Sequence, residues 1–148
     1  GDYFGLAPRL GALTRRLVYP VPVHAGLGVH VTMDLGGAYR AGPDTTYVDV
    51  PRYDVDPTKA EAFAAALRRY LPEVRGGDLR PDSAGVRPKL YGPREPARDF
   101  VLEERPPGLF HLLGIESPGV TASEALARRL ADRLGGPPRG AAAARHAP

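Results

Sequence analysis

About one residue in four of this chain either lacks a backbone donor or bends too freely to sit inside a regular element. Glycine contributes 18 positions and proline 17, together 35 of 148. Proline fixes φ and has no N–H, and glycine loses the most backbone freedom when ordered. That density works against a helical bundle and favours short strands, tight turns and shaped loops. The remaining composition is 43% hydrophobic and 25% charged, which is a folding composition rather than a disordered one. At 148 residues the chain is long enough for one compact domain with a core.

Several function classes fall away at this level. The net charge is +3, but the arginines are scattered among acidic residues and no basic run is interleaved with aromatics, so nucleic acid is not an expected partner. Cysteine is absent, which excludes disulfides and thiolate metal sites and weakly favours a reducing compartment. The four histidines fit no metal-ligand spacing, and no metal is expected. No run of about 18 apolar residues is present, so no membrane-spanning helix is expected. A cytoplasmic location is expected, with peripheral membrane association compatible with it.

Periodicity orders the chain as follows. Residues 16–23 (RLVYPVPV) form an extended apolar run that Pro20 and Pro22 confine to an edge or a ligand-facing position. Residues 27–33 alternate, with Leu27, Val29, Val31 and Met33 on one face and Gly28, His30 and Thr32 on the other. Residues 34–37 (DLGG) turn the chain into a hairpin partner at 38–41, and a further short strand is expected at 45–50. Asp56 and Pro57 supply an N-cap and a first helical residue for a helix whose stripe is Ala60, Phe63, Ala64, Leu67, Tyr70 and Leu71, ended by Pro72. Residues 85–91 alternate again, with Arg87, Lys89 and Tyr91 on one face. Two strands follow at 99–103 and 109–113, then a glycine-bounded loop at 114–119 and a second helix at 121–134. That helix carries Leu126, Ala127, Leu130, Ala131 and Leu134 as its apolar stripe, and residues 135–148 are expected to be a disordered tail. Runs of strands rather than strict βαβ alternation make this an α+β chain.

Three places can carry chemistry. The loop at 114–119 joins a strand to a helix N-terminus, where backbone N–H groups and the helix dipole favour negative charge such as a phosphate or an electron-rich ring edge. The plainer reading is a helix capped by Ser117 or Thr121. Arg87 offers a planar fork suited to a carboxylate, with Lys89 on the same face; otherwise both simply face solvent. His30 shares the polar face of its strand with Thr32 and can line a pocket as a general base, or serve structure alone. Tyr3, Tyr19 and Tyr91 are expected in the core or at its rim.

GIESPGVTAS at 114–123 resembles the flavin-contacting motif of the L-2-hydroxyglutarate dehydrogenases and oxidases, within the D-amino-acid-oxidase-like family of FAD enzymes. GDYF at 1–4, LVYPVP at 17–22, GLGVHVT at 26–32, LGG at 35–37 with Gly42-Pro43, YDVDP at 53–57 and AGVRPKL at 84–90 match in the same order. The resemblance implies FAD as cofactor, contacted by Gly114, Ile115, Glu116, Ser117, Pro118, Gly119 and Thr121. It also implies an antiparallel substrate-binding sheet over residues 1–107 and a strand-loop-helix at 108–134 belonging to the FAD-binding domain. Arg87 would clamp the carboxylate of a small dicarboxylic 2-hydroxy acid, Lys89 would meet its second carboxylate, and His30 would take the hydroxyl proton. The implied reaction converts L-2-hydroxyglutarate to 2-oxoglutarate. The glycine-rich GxGxxG fingerprint that holds an FAD pyrophosphate is not in these 148 residues. The chain is therefore expected to be the C-terminal part of such an enzyme, inactive without a missing N-terminal FAD-binding half. A D-amino-acid or sarcosine oxidase-like enzyme and a non-catalytic small-ligand-binding module are the alternatives.

Overall fold

The computed structural model describes residues 1–11, 16–21 and 28–135. The expected extended run at 16–23 is thus described only to Val21, and of the tail only Gly135 is described. The chain divides into two compact units, Gly1–Val86 and Arg87–Pro148. Helices and antiparallel sheets are mixed in it, so the α+β reading holds.

The first unit is a four-stranded antiparallel sheet with a helix packed against it. Its strands are β1 (Asp2–Leu6), β2 (His30–Met33), β3 (Tyr39–Gly42) and β4 (Leu79–Ala84), in the order β2-β3-β1-β4. A one-turn helix α1 (Pro8–Gly11) follows β1, and α2 (Ala60–Leu67) lies between β3 and β4. The β2–β3 hairpin forms as its sequence predicts. Asp34 accepts the amides of Gly37 and, through its side chain, Ala38, and Gly37 adopts a φ of +85°.

α2 begins where the cap signal placed it. Asp56 Oδ1 accepts from the Thr58 amide at 2.9 Å, and Pro57 opens a short 3-10 turn (Pro57–Lys59) that runs into the helix. The helix buries Phe63, Ala64 and Leu67. Leu71 is buried as well but lies outside the helix, because the residue before a proline is disfavoured in helical geometry. These side chains meet Phe4, Leu10, Val31, Ala41, Val74 and Leu79 in one core, with the Phe4 and Phe63 rings 4.7 Å apart. Lys59 ties the sheet to the helix. Its ammonium lies 2.7 Å from both Asp2 and Asp44, and Asp44 also accepts the Asp2 amide at 2.7 Å.

Three local expectations change in this unit. The last strand runs over Leu79–Ala84 rather than 85–91. β1 and β4 pair from Leu6 with Leu79 to Asp2 with Ala84, and Gly1 and Gly85 add two bonds beyond it, the Gly85 amide donating to the Gly1 carbonyl at 2.9 Å and the Gly1 amino group to the Gly85 carbonyl at 2.7 Å. Pro88 in the following segment lacks an amide to donate. The stretch 45–50 forms no ladder, and its Tyr47, Val48 and Val50 are exposed. In β2 the alternation does not separate buried from open faces: His30 and Val31 are both buried, while Met33 is 47% exposed at the hairpin end.

The second unit holds a two-stranded antiparallel hairpin, β5 (Val101–Glu104) and β6 (Phe110–Leu113), and the helix α3 (Gly119–Arg133). Arg105 and Leu109 close the hairpin turn, with the Arg105 amide donating to the Leu109 carbonyl at 2.9 Å. Arg133 near the end of α3 donates to the Leu102 carbonyl at 2.8 Å. Neither Ser117 nor Thr121 caps α3; Pro118 holds the cap position with no side-chain bond. Of the expected helix stripe, Leu126 and Leu130 are half-buried, while Ala127, Ala131 and Leu134 are exposed.

Candidate functional site

The site is built where two segments of the second unit meet, residues 87–91 and the loop at 114–119. Pro88, with φ fixed near that of an inverse γ-turn, lets the Lys89 amide donate to the Arg87 carbonyl at 2.9 Å. The segment forms no ladder and bends at Leu90 and Tyr91, yet the side chains of Arg87, Lys89 and Tyr91 come to one side, as their spacing predicts. On the facing loop the Glu116 amide donates to the Gly114 carbonyl at 2.8 Å, and the Gly119 amide donates to the Glu116 carbonyl.

Two glycines fix how closely these segments approach. Gly114 adopts a φ of +67°, and a Cβ there would sit 2.6 Å from the Leu90 side chain. Leu90 therefore seats directly on the loop, with Lys89 beside it. Gly119 is buried at the start of α3, and a Cβ there would lie 2.6 Å from the Ile115 side chain.

This arrangement brings Glu116 onto the two cations. Lys89 Nζ donates to Glu116 Oε1 at 3.0 Å and Oε2 at 3.2 Å, and to the Tyr91 hydroxyl at 2.9 Å. It also lies 4.6 Å from the centre of the Tyr91 ring, within cation–π range. Arg87 reaches Glu116 Oε2 at 3.5 Å. Burial disfavours the Lys89 ammonium, but the hydrogen bonds to Tyr91 and Glu116 and the charge of Glu116 outweigh it, so its pKa lies above the ordinary lysine value. Glu116 is the most enclosed of the three, its side chain 12% exposed, against 19% for Lys89 and 38% for Arg87.

The expected site residues are thus only partly gathered. Arg87, Lys89 and the loop residues Gly114, Ile115, Glu116, Ser117, Pro118 and Gly119 belong to one unit, with Thr121 in the first turn of α3. His30 belongs to the other unit, buried in β2 with its ring 4.6 Å from that of Tyr19. Sequence reasoning singled out Glu116 as a loop residue but not as the partner of both cations, and it left Tyr91 at the rim. The available signal was a lone carboxylate set between Ile115 and Ser117 in an otherwise uncharged loop.

The loop also answers whether these residues suit a flavin. Gly119 leaves no side chain over the start of α3, and the first N–H groups of any α-helix have no carbonyl of their own. Pro118 has no N–H, and those of Glu116 and Gly119 are used inside the loop. The amides of Ile115, Ser117, Val120 and Thr121 remain as the donors suited to an electron-rich ring edge. The residues present fit that role. Among the described residues no acidic or histidine cluster could hold a metal ion, and no helix is long and apolar enough to cross a membrane.

Residues 1–133 match the family model described as FAD dependent oxidoreductase, and the chain belongs to that family. Within it, the chain is 40% identical to the mitochondrial L-2-hydroxyglutarate dehydrogenase of Arabidopsis thaliana, an alignment covering 90% of this chain and 31% of that protein. It is 27% identical to L-2-hydroxyglutarate dehydrogenase of Salmonella houtenae over 83% of this chain and 38% of that protein. It is also 26% identical to glycerol 3-phosphate dehydrogenase of Caloramator mitchellensis, over 90% of this chain and 28% of that protein. The chain spans about a third of the length of the curated relatives it matches. The family and the similarity that the ordered motifs implied are both borne out.

Proposed function

We propose that this chain supplies the substrate-anchoring and flavin-facing part of an FAD-dependent 2-hydroxy-acid dehydrogenase, with L-2-hydroxyglutarate as substrate and 2-oxoglutarate as product. The observation that carries the reading is the joining of Arg87 and Lys89 to the 114–119 loop through Glu116. It puts carboxylate-binding cations beside the segment suited to a flavin. Arg87 orients the substrate carboxylate with its guanidinium fork, and Lys89 is the second cation of the same anion site. Free amides of the loop and the first turn of α3 stabilise negative charge on the ring. His30 is the proposed acceptor of the hydroxyl proton. FAD, when bound, supplies the acceptor for the hydride from the substrate's C2. The nucleotide-binding half of the enzyme is proposed to come from sequence outside these 148 residues.

A full-length enzyme carrying this region tests the reading. Turnover of L-2-hydroxyglutarate is expected, with Arg87→Ala costing about 100-fold or more in kcat/KM through lost orientation. His30→Gln is expected to lower kcat with little change in KM. Turnover of D-amino acids or glycerol 3-phosphate in place of L-2-hydroxyglutarate would overturn the substrate assignment. The purified 148-residue chain is expected to show no flavin absorbance, and a yellow preparation would refute the proposed division of the cofactor site.

A further inference from the structure

The anion site is already occupied by one carboxylate of its own. Three charges meet there, Arg87 and Lys89 positive and Glu116 negative, which leaves a net charge of +1. An ammonium has three protons to give, and Lys89 places its donors on the two oxygens of Glu116 and the hydroxyl of Tyr91. Its capacity is spent within the protein. Arg87 differs: five N–H donors meet Glu116 at one 3.5 Å contact, and the side chain is 38% exposed. The fork is therefore open on the side away from Glu116. Glu116 in turn has little room to leave, because Leu90 seats on Gly114 and Ile115 on Gly119 at either end of its loop.

We infer that Glu116 sets the charge capacity of this site, so that it takes a single carboxylate, at Arg87, while Lys89 positions Glu116 instead of touching the ligand. This rests on the proposed function for the role of Arg87 and deepens it: the second carboxylate of a dicarboxylic acid must find its cation on another part of the enzyme. Glu116 and Lys89 are positioning residues, and together they hold the loop and the guanidinium in one register.

The test is a charge series in the 148-residue chain, titrated with glutarate and with acetate at constant ionic strength and followed by NMR at the Arg87 side chain. The native chain, at +1, is expected to bind the two ligands within about threefold of each other, since one carboxylate is read. Glu116→Gln, at +2, is expected to bind glutarate about tenfold tighter and to open a clear preference for glutarate over acetate. Lys89→Met, at zero, is expected to weaken both ligands by a similar factor, and Glu116→Asp to keep the native ratio. A purely structural role for Glu116 predicts loss of affinity in Glu116→Gln, the opposite sign. Loss or no change there, or no change in Lys89→Met should Glu116→Gln fail to fold, overturns the inference. If Arg87→Ala binds as the native chain does, the anion-site reading fails first and this inference with it. Binding that vanishes in Arg87→Ala but ignores Glu116 sinks the inference alone.

Discussion

The two units are held together by different physics. Gly1–Val86 owns a core in which Phe4, Val31, Ala41, Ala64 and Leu67 have no exposed surface at all. In the described part of the second unit the one buried residue is Gly119, which has no side chain to bury. Its hairpin, its helix and its anion cluster rest on hydrogen bonds, ion pairs and half-buried leucines. Burial of apolar surface is the large favourable term in folding, whereas exposed ion pairs contribute little. The first unit therefore carries its own stability, and the second holds the proposed anion site on a frame with little apolar support of its own.

The comparison breaks most readily at matched leucines. Leu67→Ala is expected to cost roughly 3 kcal/mol, the lost transfer energy plus a cavity. Leu130→Ala on the half-buried stripe of α3 is expected to cost less than about 1 kcal/mol. Urea unfolding followed by circular dichroism, with hydrogen exchange to locate the loss, measures both, and equal costs would end the comparison.

Lys59→Met sharpens it. The change leaves Asp2 and Asp44 facing each other without their shared cation. A cost of roughly 2 kcal/mol is expected, reduced from a fully buried pair because the lysine side chain is 28% exposed. The same replacement at Lys89 is expected to leave the unfolding midpoint of the first unit unmoved.

The smallest effect concerns Tyr70, whose hydroxyl donates to the Val29 carbonyl. Tyr70→Phe is expected to cost about 1 kcal/mol. Burial pushes the phenol up to about 12 from 10.0, with Arg69 opposing. The folded chain thus keeps a proton that the unfolded chain releases. Stability from this group is intact below pH 10.0 and falls as pH rises toward about 12. Tyr70→Phe should remove that part of the alkaline loss in a pH series of urea midpoints.

How far the residues announced this structure depends on where each element finds its support. α2 is legible because Asp56, Pro57 and the Phe63–Leu67 stripe all lie within the helix's own neighbourhood. α3 is legible for the same reason to within two residues at its start. β4 is not: LRPDSA has neither alternation nor strand propensity, and it is extended because β1 offers a ladder to it. The alternation of Arg87, Lys89 and Tyr91 is real but serves a loop rather than a strand. The glycine-bounded loop can be read as a motif, while its ion pair cannot, since Lys89 and Glu116 stand 27 residues apart.

The sheet order has a kinetic consequence. β1 comes first in the chain yet lies between β3 and β4, and its partners at Ala41 and Ala84 arrive long after it. Closing such loops costs entropy before any ladder bond repays it, so folding of this unit is expected to be slow and all-or-none. Stopped-flow refolding should show one phase shared by every probe of the sheet. Until Ala84 has emerged from the ribosome, this interior strand waits with a bare edge, and a nascent chain of this kind depends on whatever shields it in the meantime.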